Sequence, residues 1–267
     1  MNMTEINTEE MSDAELEFAI RTNFEVMTEL TELLVGGHVQ SLIVSGASGI
    51  GKSFEMIKRL DQAVDNGEIE SFKQLKGDMS AVGLYAALYE NRHAGCVLVL
   101  DDLDVFDDKT SLDLLKAVLD TNKTKEVSWN KASSWLEKQG IPNDFSYQGT
   151  CVFLTNIDFN AEINRKSSLT PHLKAFLGRC SYLDLGIHTN KAVLVRIKQV
   201  LTETSMAVDN DITEEEQELI IEWLEMFQDQ LSELSLRTVL KIAGYMAGSP
   251  SKWIDIAEVT LLRNQSM

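Results

Sequence analysis

Eight consecutive residues, Gly46 to Ser53, fit the pattern G-x-x-x-x-G-K-[ST] of loops that bind nucleotide phosphates. Glycines let the backbone turn its N–H groups towards phosphate oxygens, Lys52 would reach the β- and γ-phosphates, and Ser53 would hold Mg²⁺ through its hydroxyl. The alternative is a chance glycine-rich turn. The apolar run Leu42–Val44 before the loop and the amphipathic segment after it favour nucleotide binding, because a strand and a helix flank such loops. The predicted contacts in this stretch are Gly46, Ala47, Ser48, Gly49, Ile50, Gly51, Lys52, Ser53 and Phe54.

A second candidate feature is a pair of acids, Asp101 and Asp102, that follows the apolar run Val97–Leu100. At the carboxyl end of a strand, Asp101 would hold the hydration shell of Mg²⁺ beside Ser53. Asp102 would then polarise an attacking water. The alternative is a pair of helix-capping acids, since strand ends often carry aspartate. We interpret the acids that follow as solvated or capping: Asp104, Asp107 and Asp108.

Asn156 follows another apolar run, Cys151–Leu154, by two residues. At the tip of a core strand, its amide could hydrogen-bond the attacking water or the γ-phosphate. The alternative is a strand-end turn, because asparagine suits turns. We expect Asn156 to act with Asp102 and Lys52 in catalysis.

The elements that would position these residues alternate between strands and helices up to residue 187. Apolar runs at 42–45, 96–100 and 150–154 predict strands, as do the weakly alternating stretch 69–76 and the stretch 181–185, and the segments between them show helical spacing. This order predicts a mostly parallel α/β sheet with helices on both faces. After His188 only helices are predicted. We expect an N-terminal helical segment at 1–37, a nucleotide-binding core at 38–187 and a helical lid at 188–267.

The composition of the 267 residues fits a protein with a packed core, with 44% hydrophobic residues and a mean hydropathy of −0.11. No apolar run approaches the roughly 20 residues of a membrane span. The whole net charge of −18 comes from two segments, 1–40 and 209–233, and the remaining residues are balanced. The charge therefore neither supports nor excludes a nucleic-acid partner. The cysteines, Cys96, Cys151 and Cys180, show no metal-binding spacing and are expected to be buried free thiols.

The order of these features resembles the AAA+ ATPases, over about residues 38–250. In that family a phosphate loop (Walker A), a strand ending in acids (Walker B), a sensor asparagine, an arginine finger and a helical lid follow one another. The matching features here are Gly46 to Ser53, Asp101 with Asp102, Asn156, Arg179 and Arg237. The resemblance implies ATP and Mg²⁺ as cofactors, bound where core and lid meet. It also implies a homo-oligomer, as a ring or a filament.

The resemblance gives both arginines a role. Arg179, in a segment that resembles clamp-loader members, would reach the γ-phosphate of a neighbouring subunit as a finger supplied in trans. The alternative is a surface ion pair, and Arg165 is a second candidate for the finger. Arg237 would be the second sensor, which couples the nucleotide to the lid angle. The alternative is an exposed helix arginine.

Two positions depart from the family pattern. Most members have Asp-Glu where this chain has Asp101-Asp102, and the shorter aspartate makes slow hydrolysis an expectation. Members that thread proteins usually have an aromatic pore loop after the second strand. The corresponding stretch, residues 76–80, has no aromatic residue, which argues against a protein unfoldase.

A long stretch, residues 121–149, separates the acidic signature's helix from the sensor strand. It carries aromatic and basic residues, namely Trp129, Trp135, Lys123, Lys125, Lys131 and Lys138. Such residues could stack on bases and contact phosphates, and the stretch resembles insertions of DNA-handling AAA+ branches and viral helicases. The alternative is a local lid whose aromatic residues belong to the core. The chain also resembles small bacteriophage ATPases.

The leading hypothesis is an oligomeric ATPase that remodels, loads or translocates on DNA or a replication complex. The alternative is a nucleotide-switched assembly or recruitment protein with slow hydrolysis, acting through protein partners. A protein remodeller with a non-standard pore is a third possibility. We expect a cytoplasmic protein without a membrane partner, in the host cytoplasm if a phage encodes it.

Overall fold

Five parallel strands form the main sheet of the protein. The structure is a computed structural model, and it describes residues 11–103, 108–120, 122 and 124–263. The strands of the described residues are β1 (Ser41–Ser45), β2 (Ser71–Lys76), β3 (Cys96–Asp101), β4 (Lys125–Ser128), β5 (Asp144–Tyr147), β6 (Thr150–Thr155) and β7 (Ser181–Asp184), of which β4 and β5 form a separate pair. The helices are α1 (Asp13–Val35), α2 (Lys52–Asp65), α3 (Ala81–Glu90), α4 (Lys109–Val118), α5 (Ser134–Gln139), α6 (Phe159–Arg165), α7 (Thr170–Leu177), α8 (Asn190–Glu203), α9 (Met206–Asp209), α10 (Glu214–Phe227), α11 (Leu236–Gly248) and α12 (Trp253–Leu261).

The order of the main sheet is β2-β3-β6-β1-β7, so β1 lies between strands that follow it much later in the chain. Every residue of β1, β3 and β6 is buried, as expected of parallel strands covered on both faces. From β1 to β2 the chain moves towards one edge of the main sheet, and from β2 through β3 and β6 to β7 it moves towards the other edge. Since such crossovers are right-handed, α2 lies on one face and α3, α4 and α7 lie on the other. The core agrees, because Ile43, Leu98 and Phe153 pack with side chains of these three helices.

The chain forms two compact units. The first contains residues 11–23, 47–51 and 186–263, and the second contains 24–46 and 52–185. The predicted α/β sheet with flanking helices, followed by a helical C-terminal region, is confirmed. The predicted domain boundaries after residues 37 and 187 stay predictions. None of the helices in the described ranges has the length and apolar character that crossing a bilayer requires.

The stretch between α4 and β6 is an antiparallel hairpin, in which β4 and β5 flank α5. Its aromatic side chains belong mostly to the core: Trp129 and Phe145 are buried, with ring centroids 5.5 and 5.1 Å from that of Tyr85. Trp135 is exposed. For most of its aromatic residues, the structure therefore agrees with the alternative of a local element packed on the core.

Lys125 is also buried in this hairpin, which removes it from any nucleic-acid surface in this structure. Its ammonium donates to the carbonyl oxygen of Val118 at 2.7 Å and to the hydroxyl of Ser41 at 3.3 Å. Burial lowers the pKa of Lys125. The ammonium thus ties β4 to the end of α4 and the start of β1. Lys123 lies outside the described residues.

The acidic segment 209–233 is largely the solvent-exposed face of α10. Thr213 and Glu216 form a capping box at its start, and the glutamates of its first turn lie where the helix dipole favours negative charge. Ile220, Trp223 and Leu224 are buried and hold the helix on its unit. The acids of this segment are therefore accounted for by helix solvation and capping.

The thiols of Cys96 and Cys151 are buried and that of Cys180 is half-buried, and none of the three forms a disulfide. Burial raises the pKa of Cys151 and of Cys180 to about 12. Both thiols are therefore protonated and unreactive at neutral pH. This confirms the prediction of free thiols, with Cys180 less buried than expected.

Candidate active site

The carboxyl ends of β1, β6 and β3 lie side by side, because these three parallel strands are neighbours in the sheet. The register pairs Ser45 with Thr155 and Leu154 with Asp101. Gly46, the first loop residue, donates its N–H to the carbonyl oxygen of Thr155 at 3.2 Å. Open α/β sheets bind ligands at this edge, where crossovers leave in opposite directions. The topology thus explains how residues 48 to 104 positions apart in sequence come together.

Lys52 is the first residue of α2, and its side chain turns inward rather than into solvent. The residue is 6% exposed. Its ammonium donates to the carbonyl oxygen of Gly46 at 2.6 Å and to Oδ1 of Asn156 at 3.1 Å. The positive charge is therefore held at the ends of β1 and β6, at the predicted phosphate position.

Ser53 and Asp101 are in direct contact. The Ser53 hydroxyl donates to Oδ1 of Asp101 at 2.8 Å. On Oδ2, Asp101 accepts the amide of Gln74 at 2.7 Å and pairs with the ammonium of Lys76 at 3.1 Å. A hydroxyl and a carboxylate are oxygen ligands of the kind that Mg²⁺ prefers, so this pair fits a hydrated magnesium ion.

Asn156 connects Asp102 to Lys52. Its Nδ2 donates to Oδ2 of Asp102 at 2.6 Å, while its Oδ1 accepts from the lysine ammonium. Asp102 has φ of +56°, a left-handed conformation that costs a non-glycine residue on the order of 1–3 kcal/mol. This turn takes Asp102 out of the line of β3, while its N–H still bonds to Leu154 at 2.9 Å. The structure thus brings together Lys52, Ser53, Asp101, Asp102 and Asn156.

Loop residues 47–51 belong to the first unit, where the C-terminal helices hold their backbone. The carbonyl oxygen of Gly49 accepts from the N–H of Leu236 at 2.9 Å, and that of Ile50 accepts from Nε of Arg196 at 3.3 Å. Gly49 has φ of +66°. A Cβ added there would lie 2.6 Å from the Cβ of Ser235, so only glycine fits.

Arg237 lies in the first turn of α11 and is exposed. Its Nη1 donates to the hydroxyl of Ser48 at 3.0 Å and to Oε1 of Glu233 at 3.2 Å. Within the first unit the predicted second sensor therefore contacts a loop residue. Its role in sensing the nucleotide stays a prediction.

Comparison with known proteins identifies a relative. No family model matches the chain. Over 254 residues the chain is 40% identical to the "Uncharacterized 36.7 kDa protein in nrdC-mobD intergenic region" of Enterobacteria phage T4. The aligned region covers 94% of this chain and 78% of the phage protein. The chain belongs to the family of this phage protein.

Solved structures give weaker similarities. The chain is similar to NtrX from Brucella abortus (10% identity, TM-score 0.40, 82% of this chain and 54% of that one). It is also similar to Drosophila ORC bound to DNA (12% identity, TM-score 0.42, 97% and 68%) and to C. elegans PCH-2 (14% identity, TM-score 0.35, 85% and 58%). With TM-scores below 0.5, these similarities do not by themselves define the fold. The chain spans about half the length of NtrX.

Arg179 and Phe54 are also predicted site residues, and their contacts lie outside the group formed by Lys52, Ser53, Asp101, Asp102 and Asn156. Arg179 is partly exposed after α7, where Nη1 donates to the carbonyl oxygen of Ala175 at 3.0 Å and Nε lies 3.8 Å from a carboxylate oxygen of Asp120. Phe54 is exposed on α2, with the ammonium of Lys58 5.9 Å from its ring centroid. Their roles stay predictions. Among the later acids, Asp108 caps α4 as interpreted, and Asp104 and Asp107 lie outside the described residues.

Sequence reasoning missed three residues of these networks, Gln74, Lys76 and Arg196. The first two face Asp101 because β2 pairs with β3, and this pairing cannot be read from one strand alone. Arg196 gave a signal, since it stands between Val195 and Ile197 in a helix whose residues are mostly buried. A charged residue in such a run needs a polar partner, which is the carbonyl oxygen of Ile50.

We expect the substitution Gly49→Ala to destabilise the chain more than Gly37→Ala. Both glycines have positive φ, +66° and +72°, so both variants carry a backbone penalty of about 1–2 kcal/mol. A Cβ meets nothing within 4 Å at Gly37 but meets Ser235 at Gly49. Urea unfolding of both variants measures the difference. Adding Ser235→Gly should recover part of the Gly49→Ala loss, and equal losses without recovery would contradict the close packing.

Proposed function

We propose that this protein is an oligomeric AAA+ ATPase that binds and hydrolyses Mg-ATP. The observation that carries the proposal is the inward-facing ammonium of Lys52, bonded to Gly46 and Asn156, with the contacting pair Ser53 and Asp101 on the same edge of the sheet. Three independent sequence signals converge on this edge, which a chance glycine-rich turn would not explain.

Each residue of the cluster has a role suited to its contacts. Lys52 would bind the β- and γ-phosphates, as would the N–H groups of the loop. Ser53 and Asp101 would hold magnesium, which neutralises phosphate charge when bound. Asp102 would accept a proton from the attacking water, and Asn156 would orient that water. Arg237 would exchange its ion pair with Glu233 for contact with the nucleotide.

Arg179 would complete the site of a neighbouring subunit. Its ion pair with Asp120 is long, at 3.8 Å, and partly exposed, and such pairs are worth roughly 0–1 kcal/mol. Leaving Asp120 would therefore cost little, and the side chain would also exchange its hydrogen bond to the carbonyl oxygen of Ala175 for a partner's γ-phosphate. This arrangement requires at least a dimer and fits a ring or a filament.

DNA or a DNA-handling protein is the proposed partner. The hairpin between α4 and β6 has Trp135, Lys131 and Lys138 on its surface, where they could contact a strand of DNA. Membership of a phage protein family supports action in the cytoplasm of an infected host.

Replacing Lys52 with Met should weaken ATP binding by about 10- to 100-fold, the value of one or two hydrogen bonds from a charged group. Equilibrium titration with a fluorescent ATP analogue measures the affinity. Lys73→Met is the matched control, because Lys73 is an exposed lysine of the same unit that pairs with Glu90 at 2.8 Å. If both variants bound as the wild type does, the proposed phosphate site would be wrong.

Replacing Arg179 with Ala should lower the ATP hydrolysis rate by about 10³-fold and leave ATP binding intact, because a finger acts on the transferred phosphoryl group. The matched control is Arg165→Ala, since Arg165 is exposed and pairs within its own helix with Glu162 at 2.7 Å. Steady-state hydrolysis at a concentration that favours assembly is the measurement. Normal turnover in Arg179→Ala with loss in Arg165→Ala would transfer the role to Arg165.

A second candidate is a nucleotide-switched assembly protein with slow hydrolysis. The observation that favours it is the hydrogen bond from Asn156 to Asp102, which occupies one oxygen of the Asp102 carboxylate. The side chain of Asp102 is also shorter than the glutamate that most AAA+ members have at this position. On this candidate, ATP binding alone would drive assembly.

Oligomeric mass and hydrolysis rate, each measured with and without single- and double-stranded DNA, separate the two candidates. The DNA motor predicts that DNA raises the rate several-fold and that Lys138→Ala with Lys131→Ala reduces this gain. The switch predicts assembly with a non-hydrolysable analogue and no effect of DNA. DNA stimulation without assembly would contradict both.

A further inference from the structure

Asp101 has an unusual set of partners for an acid at a proposed metal site. Its side chain is 8% exposed, so its negative charge is removed from most of the surrounding water. Burying a carboxylate is unfavourable unless a cation or several donors compensate it. Ser53 donates to one oxygen, and two side chains of β2, Gln74 and Lys76, contact the other. The carboxylate therefore has a cationic partner from its own chain.

The strand register makes this pairing direct. Lys76 is the last residue of β2 and stands opposite Asp101 in the parallel pair of β2 and β3. Gln74, two positions earlier, lies on the same face of the strand. The ammonium of Lys76 is 3.1 Å from Oδ2 of Asp101, although the Lys76 side chain is 60% exposed. The cation thus reaches a buried carboxylate from a largely solvated position.

We propose that Lys76 is an internal counter-ion that occupies Asp101 when no divalent cation is bound and that competes with magnesium for this carboxylate. The inference rests on the proposed function, since it takes Asp101 as a residue that holds the hydrated metal. Lys76 then keeps the buried carboxylate compensated without metal and raises the magnesium concentration that the site requires.

The physical chemistry assigns different roles to the two β2 side chains. Two cations at one carboxylate repel each other, and the exposed ammonium can move into water at little cost. The neutral amide of Gln74 meets no such repulsion. Gln74 therefore stays on Oδ2 and keeps the other oxygen directed at Ser53, while Lys76 is the partner that is exchanged.

The competing explanation is a purely structural ion pair between β2 and β3. A structural pair would stabilise the chain equally with and without bound metal. A counter-ion stabilises only the metal-free chain, because the metal replaces it. The two explanations thus differ in stability as well as in metal requirement.

The first measurement is binding of a fluorescent, non-hydrolysable ATP analogue across a series of Mg²⁺ concentrations. We expect Lys76→Met to lower the Mg²⁺ concentration for half-maximal binding by about two- to fivefold, the value of one exposed ion pair. Lys76→Arg keeps the charge and should remain near the wild type. Lys73→Met is the matched control on the same strand, because its partner Glu90 is a different carboxylate. The gap between Lys76→Met and the wild type should narrow at high salt.

The second measurement is thermal unfolding of wild type and Lys76→Met in EDTA and in Mg²⁺ with the analogue. The variant should melt below the wild type in EDTA and together with it when metal and analogue are bound. An equal deficit in both conditions, or an unchanged or higher Mg²⁺ requirement, would overturn the inference while leaving the proposed function intact. If no protein bound the analogue at any Mg²⁺ concentration, the proposed function would fail and this inference with it.

Discussion

The inward position of the Lys52 ammonium is the interaction on which the candidate active site depends. A buried ammonium is unfavourable by several kcal/mol unless oxygen atoms compensate it. Two of these oxygens are the carbonyl of Gly46 and Oδ1 of Asn156. Gly46 directly follows β1, and Asn156 directly follows the neighbouring strand β6. Because the amide oxygen of Asn156 faces the lysine, its nitrogen must face elsewhere, and it donates to Asp102. One buried charge thereby sets the orientation of a side chain from each of two strand ends.

Charge balance without a ligand is a second property of these networks. In the second unit, the carboxylate of Asp101 has Lys76 as its cation. In the first unit, the guanidinium of Arg237 has Glu233 as its anion. Asp101 and Arg237 are both proposed to meet a charged ligand, and each already has an exposed partner of opposite charge. Exposed pairs are weak and screened by salt, so they compensate the charge without holding it strongly.

Much of the fold could be predicted from local patterns. The helical segment expected at 1–37 contains α1, and the apolar run 96–100 predicted β3, which extends one residue further. These elements are long or uniformly apolar, so one period dominates. The hairpin strands β4 and β5 have four residues each, and half of each strand is exposed, which leaves little local signal. Their aromatic residues fitted either a core or a nucleic-acid surface, and only packing against Tyr85 decides between these for Trp129 and Phe145.

The candidate site divides in the same way. Lys52, Ser53, Asp101 and Asn156 could be predicted because each lies at or after the carboxyl end of a predicted strand, and parallel strand ends meet at one edge. The contacts of Gln74 and Arg196 could not be predicted, because they depend on strand register and helix packing, although the apolar neighbours of Arg196 indicate a buried charge. A contact between subunits cannot be seen in the structure of one chain, so Arg179 is seen with partners from its own chain, Asp120 and Ala175.

The support of the phosphate loop has a consequence for how the protein is made. Loop residues 47–51 are held by hydrogen bonds to partners between residues 187 and 236. At roughly 5–20 residues per second, a ribosome needs on the order of ten seconds or more to add those partners after the loop has been synthesised. The loop therefore lacks these hydrogen bonds until the chain has been synthesised to residue 236. The proposed capture of nucleotide would then require the residues up to 236, and products that end before them would lack these supports of the loop.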